Sequence, residues 1–242
     1  MLRLLLFDID GVLTDGEAQP LDLELLGLLR EFNRAARADA SRPAVTLCTG
    51  RPAPYVEIML QAIDGHVPGI YENGAGVYVP LEYRFLPHPA VGSGETFTEV
   101  RQRLHRALVR TGRAFFQPGK EHTLSIFANN PAEPPRLYDW TVDALGPLVD
   151  QVELEYAASC LNVMPRGVNK GRGLEFLCQL TGYAPADILG VGDSAVDLSF
   201  LALTGCTAAP ANASDAVKQA VQYVSPLPTS QGVRDILRQF MR

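Results

Sequence analysis

Asp8 and Asp10 stand one residue apart at the end of an apolar run, Leu4 to Phe7, and are followed at once by Gly11 and Asp15. Acids so placed could hold a hard metal ion, attack an electrophile or move a proton. The same residue types also make ordinary turns. Three other stretches could join them: Thr49-Gly50-Arg51, Lys170, and Gly192-Asp193-Ser194 running on to Asp197. Taken singly, Thr49 reads as a helix cap and Lys170 as a solvated lysine opposing a helix dipole. Asp193 and Asp197 read as turn and cap residues.

The elements around these stretches decide whether they meet. Leu4–Phe7 reads as a buried strand, and Leu21–Ala38 as a helix with Leu25, Leu28, Leu29, Phe32 and Ala36 on one face. Ala44–Cys48 is a second strand, and Pro52 opens a helix carrying Val56, Met59, Leu60 and Ile63. Gly69–Tyr71 leads through Glu72-Asn73-Gly74-Ala75 into a hairpin over 76–79 and 83–86. Late in the chain, Lys170–Leu180, Ile188–Val191, Ala195–Leu203, Cys206–Ala209 and Ala213–Val221 resume the alternation of helix and strand. Such alternation implies a parallel sheet covered on both faces, with ligands bound beyond the carboxyl ends of its strands. All four stretches fall at that end.

The middle differs. Glu95–Thr111 is helical, Arg113–Gln117 and Thr123–Asn129 are strands, Pro135–Leu148 is helical, and Gln151–Tyr156 and Leu161–Met164 are strands. This αββαββ order implies an inserted α+β domain over 82–164, leaving 1–81 and 165–242 as the core. Trp140, among apolar neighbours, is expected in that domain's interior.

Composition narrows the function classes. The chain is 47% hydrophobic and 20% charged, as ordinary globular proteins are. No apolar run is long enough to span a bilayer, and MLRLLLF is too short for a signal peptide, so no membrane role and a cytoplasmic location are expected. Cys48, Cys160, Cys178 and Cys206 form no CxxC pair, against a zinc site or a disulfide framework. A formal charge of −6 without a basic cluster argues against nucleic acid. Phosphate, if handled, needs local groups and a metal.

Taken together and in this order, DIDGVLTD, TGR, the isolated Lys170 and GDSAVD resemble the four signature motifs of the haloacid dehalogenase superfamily of phosphohydrolases, over essentially the whole chain. The resemblance implies a Rossmann-like parallel-sheet core. It implies Asp8 as nucleophile forming an aspartyl-phosphate, Asp10 as general acid and base, and Mg²⁺ held by Asp8, Asp193 and the Asp10 carbonyl. Thr49 and Gly50 would hold the phosphoryl oxygens, and Lys170 would add positive charge. Asp197 would orient Lys170 or take part in the metal site, unless it is a helix residue facing solvent. One departure is that Ser194-Ala195-Val196-Asp197 lacks the Asn many relatives carry before the last Asp, with Ser194 as a substitute. Val12 stands where many have Thr.

About 120 residues separate Thr49 from Lys170. That insert resembles the C2B cap of the Cof-type (type IIB) branch, and Glu72-Asn73-Gly74-Ala75 recurs there with Asn73 toward substrate. Arg51, Asn73, Lys120, His122 and Asn212 are therefore candidate substrate contacts, with Glu121 and Arg166 nearby. The expected activity is Mg²⁺-dependent hydrolysis of a small phosphate ester, a sugar phosphate or a phosphoglycolate-like acid, by a monomer or small homo-oligomer. A catalytically idle ligand-binding module and a phosphomutase are the alternatives; the mutase is disfavoured because it lacks a TGR-type second motif.

Overall fold

The computed structural model describes residues 2–92, 94–130, 134–157 and 159–241. The chain divides into two compact units, residues 1–86 with 169–242 and residues 87–168. The first unit opens with β1 (Leu4–Phe7), α1 (Leu23–Ala38), β2 (Ala44–Leu47), α2 (Ala53–Ala62), β3 (Gly69–Tyr71), β4 (Gly76–Val79) and β5 (Arg84–Pro87). The second contains α3 (Glu95–Leu104), β6 (Ala114–Phe116), β7 (Leu124–Ala128), α4 (Pro134–Leu145), β8 (Val152–Tyr156) and β9 (Leu161–Pro165). The chain then returns to the first unit through α5 (Lys170–Thr181), β10 (Ile188–Val191), α6 (Leu198–Leu201), β11 (Cys206–Ala209), α7 (Asp215–Ala220), β12 (Tyr223–Val224) and α8 (Thr229–Phe240).

The first unit is built on a five-stranded sheet in the order β12-β11-β10-β1-β2, with every neighbouring pair parallel. Successive side chains of a strand point to opposite faces, and along β1 they enter two different cores. Leu5 and Phe7 pack with Leu25 and Leu29 of α1 and Val233, Ile236 and Leu237 of α8. Leu4 and Leu6 pack with Leu174 and Leu177 of α5 and Phe200 of α6. A strand covered on both faces favours apolar side chains along its length, and LLLF is apolar throughout. In register, Phe7 lies beside Val191 of β10 and Leu47 of β2, so the carboxyl ends of three adjacent strands are level.

The second unit is a four-stranded antiparallel sheet in the order β6-β7-β9-β8. Leu124, Ile126, Leu161 and Val163 point from one face into a core with Phe97, Val100 and Leu104 of α3 and Leu137 and Leu145 of α4. Trp140 packs at the edge of this core.

Several elements depart from the sequence reading. The helix expected over Glu95–Thr111 is α-helical only to Leu104 and widens into a π-helical turn at His105–Val109. The helix expected over Ala195–Leu203 begins as a 3₁₀ turn, Ala195–Asp197, because the Asp197 carboxylate folds back onto the Asp193 and Ser194 N–H groups. The sequence reading assigns nothing beyond Val221, where the structure has β12 and the three-turn helix α8. Among the described residues, no helix is long and apolar enough to cross a membrane.

Candidate active site

The loop leaving β1 is tied into a knot of backbone hydrogen bonds. Ile9 O accepts from Val12, Leu13 and Thr14 N–H at 3.3, 2.8 and 3.0 Å. Val12 and Leu13 are buried and anchor the loop. Gly11 has φ +79, and a Cβ there would stand 2.1 Å from Asp193 Oδ2, so both its conformation and its contact require glycine. The loop and the end of β10 therefore touch through a position that accepts no side chain.

Lys170 begins α5 and is almost wholly buried. A cation there is unfavourable twice, through lost hydration and through the positive helix end. Two carboxylates compensate. Lys170 Nζ lies 2.9 Å from Asp8 Oδ1 and 2.6 Å from Asp197 Oδ1. Burial opposes its charge, but Asp197 and Asp8 outweigh that and hold the ammonium above its ordinary range. Asp197 is fully buried, which removes the reading of a solvent-facing helix residue. Its Oδ2 accepts from Asp193 N–H (3.0 Å), Ser194 N–H (2.9 Å) and the Ser194 hydroxyl (3.1 Å). Ser194 thus bonds directly to the last acid of the motif.

Asp8, Asp193 and Asp197 each offer an oxygen, and these oxygens lie within 4.8 Å of one another. Asp193 Oδ1 is buried without a hydrogen-bond partner. Burial, then Asp197, push the Asp193 carboxyl up to about 7. Burial raises Asp8 well above the usual range; Lys170 pulls the other way, while Asp197, Asp193 and Asp10 add to the rise. Counting Asp10, four carboxylates meet only two cations, Lys170 and Arg51. An excess of two negative charges and an orphaned carboxylate oxygen fit a hard divalent cation. With Asp197 saturated by hydrogen bonds, Asp8 and Asp193 are the carboxylates left to ligate it.

The loop after β2 is held by the turn after β3. Thr49 N–H donates to Ile70 O (3.1 Å), Asn73 N–H to Thr49 O (3.0 Å) and Glu72 N–H to Arg51 O (3.0 Å). Glu72, Asn73 and Gly74 all have positive φ, a strained run for the two residues that are not glycine. Gly74 in turn lies against α5, where a Cβ would meet Asn169 O at 2.0 Å. The Asn73 amide sits over Gly50, close enough that a Cβ on Gly50 would be 2.9 Å from Asn73 Oδ1. Thr49 Oγ1 accepts from Arg51 N–H at 3.2 Å, leaving its hydroxyl hydrogen to point elsewhere. Arg51 forms a two-pronged ion pair with Asp10, Nε to Oδ2 at 2.7 Å and Nη2 to Oδ1 at 2.6 Å.

The candidate contacts from the sequence divide into groups. Asp8, Asp193, Asp197 and Lys170 form one cluster, joined through Asp10 and Arg51 to the Thr49 and Asn73 loops. Asn212 bridges two loops instead, its Nδ2 donating to Gly11 O (2.8 Å) and its Oδ1 accepting from Thr229 N–H (2.8 Å). Lys120 and His122 belong to the second unit. Lys120 is buried there with Nζ on Ser125 Oγ, and His122 lines a cavity of about 190 Å³ with Phe97, Arg101 and Glu121. Arg166 Nε donates to Asp150 O at 2.9 Å. The sequence reading passed over Gly171 and Gly173, although the KGRG spacing was visible. A Cβ on Gly171 would meet Ser199 O at 2.5 Å, and one on Gly173 would meet Gly74 Cα at 2.7 Å. These glycines let α5 approach α6 and the Gly74 turn and so bring Lys170 to Asp8.

Residues 127–237 match the haloacid dehalogenase-like hydrolase family. A phosphoglycolate phosphatase of Methanopyrus kandleri is 29% identical over 100% of this chain and 98% of its own length. The crystal structure of Thermoplasma acidophilum 0175 superposes with a TM-score of 0.76 at 20% identity, covering 100% and 99% of the two chains. A subclass IIB sugar phosphatase superposes with a TM-score of 0.67 at 19% identity, over 99% of each chain. The fold is that of these solved structures, and residues 127–237 carry the match to the hydrolase family. Over its whole length the chain is similar to proteins named as phosphatases.

Proposed function

We propose that the protein is a Mg²⁺-dependent phosphatase that hydrolyses a small phosphorylated acid or sugar phosphate through a phosphorylated Asp8. The observation that carries this reading is Asp8 at the end of β1, 2.9 Å from the buried Lys170 and within the acidic cluster that includes Asp193. Asp8 attacks phosphorus, and the bond to the leaving oxygen breaks as that oxygen takes a proton from Asp10. In the second step Asp10 takes a proton from water as the water displaces Asp8 from phosphorus. Thr49 donates its hydroxyl and Gly50 its N–H to the phosphoryl oxygens. Lys170, kept charged by Asp197, offsets charge on Asp8 and the phosphoryl group. Asp8, Asp193 and the Asp10 carbonyl would hold Mg²⁺, which when bound supplies the positive charge that lets a carboxylate approach a phosphate.

The relatives named phosphoglycolate phosphatase, and the αββαββ order of the second unit, support a small acid as substrate and a cap role for residues 87–168. Four free cysteines support work in a reducing cytoplasm. The test is turnover of p-nitrophenyl phosphate, 2-phosphoglycolate and a panel of about a hundred phosphorylated metabolites, with and without Mg²⁺. Metal-dependent release of phosphate from a small acid or sugar ester is expected. Turnover that survives chelation, or a preference for phosphoproteins, would refute the proposal.

A further inference from the structure

We propose that Arg51 is a positioning residue: its guanidinium aims the Asp10 carboxyl group at the leaving oxygen instead of binding substrate. The inference rests on the phosphatase reading above. The backbone around Asp10 is fixed by the hydrogen bonds that converge on Ile9 O, but the side chain beyond it has two free torsions. The Arg51 fork removes that freedom. Nε and Nη2 engage the two Asp10 oxygens separately, at 2.7 and 2.6 Å, which sets the plane of the carboxyl group as well as its place. A lysine could supply the charge but not the plane.

Arg51 is itself held at three points. Its N–H donates to Thr49 Oγ1 at 3.2 Å, and its carbonyl accepts from Glu72 N–H at 3.0 Å. Its guanidinium lies over the Tyr55 ring at 4.9 Å from the centroid. A continuous set of contacts therefore runs from the first turn of α2 through Arg51 to Asp10. The residue next to the phosphate-holding Thr49 and Gly50 thus directs the acid that serves the other side of the reaction.

The leaving group distinguishes this role from substrate binding. When the phosphorus–oxygen bond breaks, its electron pair stays on the departing oxygen. An alkyl oxygen then needs a proton from Asp10, whereas p-nitrophenolate departs without one. The experiment compares wild type, Arg51→Ala and Arg51→Lys in single-turnover cleavage with Mg²⁺. The substrates are p-nitrophenyl phosphate, read as the initial burst of nitrophenolate, and 2-phosphoglycolate or glycerol 1-phosphate, whichever alkyl ester wild type turns over. Arg51→Ala is expected to slow the alkyl ester at least ~10-fold more than the nitrophenyl burst, with Arg51→Lys between the two. An equal loss on both esters overturns the proposal, as does a raised KM for the alkyl ester with kcat intact, since that marks Arg51 as a substrate ligand. A wild type that turns over neither these esters nor any of the metabolite panel overturns the phosphatase reading and this role together. An active wild type with uniformly slowed variants overturns the role of Arg51 alone.

Discussion

The five-stranded and the four-stranded sheet of this protein put polar side chains in different places. In the parallel sheet, β1 sends Leu5 and Phe7 into one core and Leu4 and Leu6 into another, and its charged groups begin only where the strand ends. In the antiparallel sheet, Leu124 and Ile126 face a helical core while Ser125, between them, faces the other way and donates to Asn162 Oδ1 at 2.6 Å. The parallel arrangement gathers its chemistry into short contiguous motifs; the antiparallel one spreads its polar groups over alternate positions of distant strands. A motif reader sees the first and is blind to the second.

Two substitutions should separate the sheets most sharply. Asp8→Asn is expected to lower kcat by about 10⁴-fold or more, because an amide is no nucleophile toward phosphorus. It also removes a buried acid whose charge is disfavoured by burial, so the metal-free variant should melt no lower than wild type. Phosphate release and thermal melting of one preparation check both halves. Ile126→Ala should do the opposite. It empties a fully buried position in the second unit, costs about 2–5 kcal/mol, and leaves kcat per folded molecule near wild type at low temperature. If Asp8→Asn proved as destabilising as Ile126→Ala, the division between chemistry at strand ends and stability in the cores would fail.

Metal linkage gives a smaller effect confined to the parallel sheet. A cation that binds only the folded protein stabilises it by about 2.7 kcal/mol at a hundred times its Kd. Mg²⁺ should therefore raise the melting temperature of wild type by several degrees and that of Asp193→Asn far less, since the variant lacks the orphaned carboxylate. Calorimetry with and without chelator reads the difference. An equal rise in both proteins would place the ion elsewhere.

Much of the core was legible because parallel strands announce themselves. LLLF followed by Asp, AVTLC followed by TGR, and ILGV followed by GD each state a buried strand and its exit, and the structure sets these exits side by side. What brings Lys170 to Asp8 was harder to see, since it depends on Gly171 and Gly173 admitting backbone of α6 and of the Gly74 turn, both distant in sequence. The Asp10–Arg51 pair spans two motifs and follows from the approach of β1 and β2, which no local pattern encodes. Asn212 reads in the sequence as a cap of the following helix that also faces the pocket; Ser214 is the cap of α7, and the Asn212 amide ties Gly11 to Thr229, a latch visible only in three dimensions. The missing α8 has a plainer cause. Val233, Ile236, Leu237 and Phe240 carry helical spacing, and the proline-rich approach at Pro226-Leu227-Pro228 obscured it.

The smallest effect lies at Asp22, the cap of α1, away from the strand ends. Asp22 Oδ1 accepts from Leu25 N–H at 2.9 Å, and Arg234 of α8 reaches both carboxylate oxygens at 2.8 and 2.9 Å. Slight burial works against the charge, but the Leu25 N–H and the Arg234 and Ser230 side chains outweigh it and hold the carboxyl below its ordinary range. An acid depressed in the folded state releases its proton more readily there than in the unfolded chain. Its stabilisation is therefore complete above the unfolded value near pH ~4 and fades as pH falls through the lower folded value. The pair is partly exposed and screened by salt, so the cap itself sets the scale, about 1 kcal/mol. Denaturant melts of wild type and Asp22→Ala should differ by that amount at pH 7 and converge as the pH drops below ~3. A difference that persisted undiminished into acid would mean that Asp22 works through packing rather than charge, and would remove electrostatics from the contact between α1 and α8.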